Sequence, residues 1–166
     1  MMQFAKDSFY MTLRERLAAL NAERTVMLEG VPQPAIVVAE NEISTGSADQ
    51  ADCFHVRFGA AKVMEGFARN ATPLMALACT IGYRTRGTQE GAADRGRSLA
   101  ALDGELMAIC LPMNTDKLDY AQVPPQQLQT RIFWTTPELG DVTGDGNELS
   151  RTAALTIFFY PEEQRA

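Results

Sequence analysis

Apolar residues near the start of the chain recur at helical spacing. Phe9, Leu13, Leu17 and Leu20 follow one another at intervals of four, four and three, which places them on one stripe of a helix. Arg14, Glu15 and Arg16 point away from that stripe. Asp7 or Ser8 can serve as N-cap, and Thr12 with Glu15 has the spacing of a capping box. The pattern predicts a helix from Ser8 to Ala22. Two β-rich runs follow, Thr25–Leu28 and Ala35–Ala39, split by a connector holding Gly30, Pro32 and Pro34. Glu40–Asp52 is polar and reads as an exposed loop. Phe54, Val56 and Phe58 then alternate with His55 and Arg57, the mark of a half-buried strand.

The segment from Gly59 to Thr72 fits two templates. Val63, Met64 and Phe67 suit a short helix face, or a strand broken at Gly66. Pro73–Arg86 reads as a strand, continuously apolar from Leu74 to Cys79 and alternating afterwards, so it is expected to start buried and emerge into solvent. Gly87–Ala93 is a loop. Asp94 can cap a helix that carries Leu99, Leu102, Leu106 and Ile109 on one face and stops before Pro112. Asn114–Gln127 is a polar connection, Arg131–Trp134 begins a strand, and Pro137–Asn147 reads as a hairpin loop. Leu149–Tyr160 is the last strand. It has Leu155, Ile157 and Phe159 on one face and Phe158 and Tyr160 on the other, so it should be central or packed on both sides. The element order predicts an α+β fold: a mostly antiparallel β-sheet with two amphipathic helices packed on one face.

Length sets the domain count. At 166 residues the chain is expected to form one domain, residues 1–166. Hydrophobic residues at 46% and charged residues at 22% place it among globular chains and not disordered ones. A net charge of −6 disfavours a general nucleic-acid binder, which would carry a basic footprint. No apolar run approaches a membrane span, and Met1–Tyr10 lacks the apolar stretch of a signal peptide. Cys53, Cys79 and Cys110 are odd in number, widely spaced and set in apolar surroundings, so three reduced, buried thiols are expected. These features read as a soluble protein made in the cytoplasm.

The search for chemistry is short. His55 is the single histidine, which excludes a multi-histidine metal site. Cys53 and His55 are conceivable partners on one strand, but nothing nearby supplies an orienting group or an oxyanion hole. There is no GxSxG, no Walker A sequence and no GxGxxG. Asp141–Gly146 has the start of a calcium loop but lacks the bidentate glutamate at position twelve, where Thr152 stands. A hairpin with an acidic tip explains it better. No catalytic residue, cofactor or metal ligand is expected. For a well-folded domain, that shifts weight from enzyme toward assembly or binding protein.

Three stretches carry a resemblance: Ala78–Gly87 (ACTIGYRTRG), the arginine-rich helix start Asp94–Leu102 (DRGRSLAAL), and Ser150–Pro161 (SRTAALTIFFYP). Together they resemble the tail terminator, or tail completion, proteins of long-tailed bacteriophages and prophages. That family opens with an amphipathic helix, passes through strands, places a second helix after a strand, and closes on a long strand. The resemblance implies a structural role. The expected protein forms a ring, commonly of six subunits, that caps the head-proximal end of the tail tube, stops its growth and meets the head connector. Its partners would be further copies of itself, the tail tube protein and the head-connector protein. Its place would be the virion tail, assembled in the host cytoplasm, with no cofactor, no specific nucleic acid and no membrane.

A ring needs heterologous contacts between two different patches of each subunit. The hairpin from Ile132 to Leu155 can supply one patch and a sheet edge the other. Arg95, Arg97, Trp134 and Arg151 are the candidate interface residues, because arginine and aromatics are enriched at interface cores. Trp134 also fits plain core. Acidic loops facing a lumen would repel DNA phosphates instead of trapping them. Two alternatives remain open: another phage-like assembly component, such as a head–tail connector or contractile-machine protein, or a small α+β enzyme or ligand-binding domain built on Cys53 and His55.

Overall fold

A computed structural model describes residues 2–41, 50–64, 73–88, 93–112, 118–119, 123–124, 126–127 and 132–160. Along the chain come helix α1 (Met2–Leu20) and strands β1 (Thr25–Leu28), β2 (Val31–Pro34), β3 (Ile36–Val38), β4 (Phe54–Val63) and β5 (Met75–Thr85). Helix α2 (Arg95–Ile109) follows. The short strands β6 (Leu118–Asp119), β7 (Gln126–Gln127), β8 (Ile132–Trp134), β9 (Glu138–Leu139) and β10 (Thr143–Gly144) lead to the last strand, β11 (Leu149–Phe159). The fold is α+β.

Helix α1 starts six residues earlier than the sequence pattern predicts. Ala5 continues the stripe of Phe9, Leu13 and Leu17 by one turn and is fully buried with them, so packing extends the helix past the nominal caps. Ser8 and Thr12 are buried inside the helix, and the Thr12 hydroxyl donates to the Ser8 carbonyl at 2.6 Å. Thr12 therefore bonds back along the helix and caps nothing.

The Pro-containing connector is itself a strand. Strands β1 and β2 form a hairpin around Glu29 and Gly30, both at positive φ (49° and 80°), the geometry of a type I′ turn. Leu28 opposes Val31 as the hydrogen-bonded pair that closes the turn, so Pro32 and Pro34 fall at the alternate, non-hydrogen-bonded positions. A missing N–H is harmless there, on an edge strand.

The main sheet runs β3–β4–β5–β11, with β8, β9 and β10 all paired to the far side of β11. Every pairing is antiparallel except β3 with β4. The expectation that the last strand is central holds. Strand β5 starts buried on both faces at Ala76 and Leu77 and alternates from there, with Cys79, Ile81 and Tyr83 buried and Ala78 and Thr80 exposed. Strand β4 extends to Val63 through a bulge between Phe58 and Ala61. Residues 65–72 of the ambiguous segment lie outside the described residues.

The expected hairpin loop Pro137–Asn147 holds two short edge strands, β9 and β10, before its turn. Trp134 opposes Ile157, Leu139 opposes Ala153, and Thr143 opposes Ser150. Leu139 comes five positions after Trp134 where β11 advances four, and Thr143 comes four positions after Leu139 where β11 advances three. Strands β8, β9 and β10 are thus one edge interrupted by two bulges, each one residue long. Pro137 sits in the first. Gly140 sits in the second, where its N–H donates to Thr152 O at 2.9 Å and a Cβ would lie 2.7 Å from that same oxygen. The true turn is 145–148, where the Asp145 carboxylate accepts the backbone N–H groups of Asn147 (2.8 Å) and Glu148 (3.1 Å).

Both helices pack on one face of the sheet. Phe9, Leu13 and Leu17 of α1 and Leu99, Leu102, Leu106 and Ile109 of α2 meet Phe54, Val56, Leu77, Ile81, Leu155 and Ile157. The Phe9 ring stands edge-on to Trp134 at 5.0 Å and to Phe58 at 6.3 Å, an arrangement favoured by the ring quadrupoles. The loop after α1 is tied to α2 where Arg24 and Asn21 both bond Glu105.

Candidate functional site

The sequence-nominated arginines gather at one end of the sheet. There the C-terminal end of β5, the start of α2 and the start of β11 converge. Arg151 faces the helices and ion-pairs with Asp103 of α2 at 2.6 Å, and the Tyr83 hydroxyl donates to the other Asp103 oxygen at 2.5 Å. Burial, reinforced by that carboxylate, pushes the Tyr83 phenol up from its ordinary range. The trio fastens α2 to β5 and β11, so Arg151 is engaged inside the chain. Arg84 and Arg86 both approach Glu148, at 3.4 and 3.6 Å. Asp145 is held below the usual carboxylate range by its two backbone N–H bonds, with Arg95 and Arg86 adding to the effect. Arg95 is half-buried and Arg97 is exposed.

Asp94 occupies the N-cap position of α2 but makes no cap bond. Its carboxylate turns back to accept the Thr88 N–H at 2.9 Å, and the Thr88 hydroxyl bonds it as well. This closes the turn at Gly87, whose φ is +78° and whose missing Cβ would stand 2.5 Å from Asp94 Oδ1. Only glycine fits both conditions.

Trp134 is a correction. It is 3% exposed and belongs to the core, not to a surface that a partner could reach. Its indole N–H donates to Cys110 O at 2.9 Å. Arg16 donates to the carbonyls on either side, Ile109 O at 2.8 Å and Leu111 O at 2.6 Å, and its guanidinium lies 5.5 Å from the Trp134 ring. Together they satisfy the carbonyls that end α2 and set a cation against its negative pole.

The Cys53/His55 pair is tied to the backbone. Cys53 is buried with its thiol toward Ala35 O at 3.4 Å, while His55 Nε2 lies 3.1 Å from Gln50 O. Of the acidic loop, Glu40 pairs with Lys6 at 2.8 Å, and residues 42–49 lie outside the described residues. Burial pushes the Cys110 thiol up to about 12 and raises Cys79 further, so neither is a ready nucleophile.

Neither edge of the main sheet is a long, flat row open to pairing. Strand β3 is wholly buried, and Ile36 O accepts from Arg14 at 2.9 Å. The β8–β10 edge is broken by its bulges and carries Pro137 and Glu138, devices that blunt edge-to-edge pairing. What stays open is the sheet face turned away from the helices. Ala78 and Thr80 of β5 and Thr152 and Ala154 of β11 form an exposed field of small side chains there. Phe133 and Phe158 stack at one corner of it, 5.2 Å apart and half-buried. Arg57 and Lys62 of β4 stand exposed along one side, and neither has an ion-pair partner among the described residues. The sequence reading did not single out these positions. An arginine alternating with apolar residues looks like any solvent-facing strand position until the strand order is known.

No family model matches the chain, and no curated protein matches it. A solved structure without a descriptive name is 14% identical over 98% of this chain and 99% of its own, with a TM-score of 0.48. A likeness at that level carries no argument. Among the described residues, no helix is long and apolar enough to cross a membrane.

Proposed function

We propose that the protein is a structural component of a phage-like tail. It self-assembles into a ring of six copies on the head-proximal end of the tail tube, ends tube growth and presents the surface that the head connector meets. The resemblance of Ala78–Gly87, Asp94–Leu102 and Ser150–Pro161 to tail terminator proteins motivates the reading. The observation that carries it is the bare sheet face. A two-layer domain that leaves one side of its central strands uncovered, with a half-buried Phe133/Phe158 stack at the corner, has a layer left for a partner to supply. The polar trio of Tyr83, Asp103 and Arg151 serves to join α2 to the sheet, which fits a building block better than a reaction centre.

The test is end-binding. Purified protein added to polymerising tail tube protein should shorten the tubes in proportion to its concentration and appear by electron microscopy at one end only. Unchanged tube lengths with no density at either end would remove the proposal.

A further inference from the structure

We infer that the open sheet face along β4, marked by Arg57 and Lys62, is a self-docking surface that receives the bulged edge of a second copy through Glu138 and Asp141. The inference rests on the ring reading above and supplies its contact. The main sheet is electrostatically polarised. From Ile132 to Ser150 the sequence has four acids, Glu138, Asp141, Asp145 and Glu148, and no lysine or arginine. From Cys53 to Met64 and from Pro73 to Arg86 it has no acid at all. The topology puts these segments on opposite sides of one sheet. Glu138 opposes Ala154, Ala154 opposes Thr80, and Thr80 opposes Arg57. Acid and base therefore end the same row of residues, three strand spacings or about 14 Å apart. That exceeds the screening length of about 8 Å at physiological salt, so they do not neutralise one another within a chain.

Two of the four acids are occupied at home. Glu148 lies against Arg84 and Arg86, and Asp145 feels Arg86 and Arg95. Glu138 and Asp141 are exposed and have no ion-pair partner among the described residues, as with Arg57 and Lys62. Setting copies side by side brings the two unmatched pairs together. The small side chains of Ala78, Thr80, Thr152 and Ala154 let a neighbour's backbone come close. Exposed Leu139 and Val142, next to the acids, supply apolar contact on the incoming edge. The two patches differ, so the contact is head-to-tail, the type that closes into rings.

Charge reversal tests this with a built-in rescue. Arg57→Glu/Lys62→Glu makes both patches acidic, and Glu138→Lys/Asp141→Lys makes both basic. Each variant alone should raise the concentration for half-assembly by about tenfold or more, read by light scattering. An equimolar mixture should restore assembly, because every contact in an alternating ring then joins opposite charges. In a mixture of nitrogen-15-labelled and unlabelled wild-type chains, a carbodiimide should join Lys62 of one isotope to Glu138 or Asp141 of the other. A six-copy ring that neither reversal weakens, with no such crosslink, overturns the docking surface and leaves the ring reading standing. Open chains that obey the reversal and rescue pattern keep the docking surface and overturn the ring. Wild-type chains that stay monomeric without the crosslink, both alone and in the presence of tail tubes whose ends they do not bind, overturn both.

Discussion

Arg16→Met is expected to destabilise the protein by about 2–3 kcal/mol, although Arg16 is only half-buried. The bond to Ile109 O lies in a partly buried setting, where a charge-assisted hydrogen bond is worth about 1.5–3 kcal/mol before partial solvent access reduces it. The Leu111 carbonyl is exposed and regains water, so its bond adds little. The cation at the C-terminal end of α2 contributes about 0.3–1 kcal/mol through the helix dipole, and its place over the Trp134 ring about 0.5–1 kcal/mol. Methionine keeps the aliphatic stem and so isolates the lost head group. Trp134→Phe leaves Cys110 O buried without its donor, a loss of about 1–3 kcal/mol. The double variant should fall short of the sum by about 0.5–1.5 kcal/mol, because the two side chains act on neighbouring carbonyls and on each other. Urea denaturation at fixed protein concentration, followed by far-UV circular dichroism, measures all three; Trp134 is the single tryptophan, so fluorescence serves Arg16→Met alone. Arg16→Met within about 0.5 kcal/mol of wild type, or strictly additive losses, would refute the capping account.

Gly87→Ala should lower the melting temperature by about 3–8 °C, from a positive-φ strain of about 1–2 kcal/mol and a clash with Asp94; a melt unchanged from wild type would mean the turn has another form. Stability should fall as pH rises from about 9 toward 12. The unfolded chain releases its thiol proton near 9.0 while folded Cys110 keeps it to about 12, so the folded state binds more protons across that window and loses ground there. Denaturation midpoints at a series of alkaline pH values read the slope, and Cys110→Ala should make it shallower, with Cys79 and Tyr83, both also raised, keeping the rest. All three buried cysteines should react with a thiol reagent at the rate of unfolding, and any one that labels immediately in native protein contradicts its placement in the core.

Much of this fold was legible in the spacing of apolar residues. Leu99, Leu102, Leu106 and Ile109 marked the buried face of α2, and the apolar alternation of Phe54, Val56 and Phe58 marked β4. Aromatics on both faces of the last strand placed it in the sheet interior, where β5 and β8–β10 now flank it. The β8–β10 edge was not legible as a strand. Pro137 and Gly140 read as loop residues because bulges use the same chemistry as turns. Strand β2 hid in the same way, its prolines sitting where the ladder needs no donor. The Arg16 and Trp134 cap joins residues far apart in sequence, and local spacing carries no signal of it. The charge polarity of the sheet likewise needs the strand order, which sets Glu138 and Arg57 at opposite ends of one row.

The most direct measurement is the mass of the purified protein by light scattering across a concentration series, repeated with tail tubes present. The account predicts a closed ring of six 18.2-kDa chains, about 109 kDa, whose mass stops growing once reached. A monomer or two-fold dimer at every concentration, with no retention on tube ends, would contradict it.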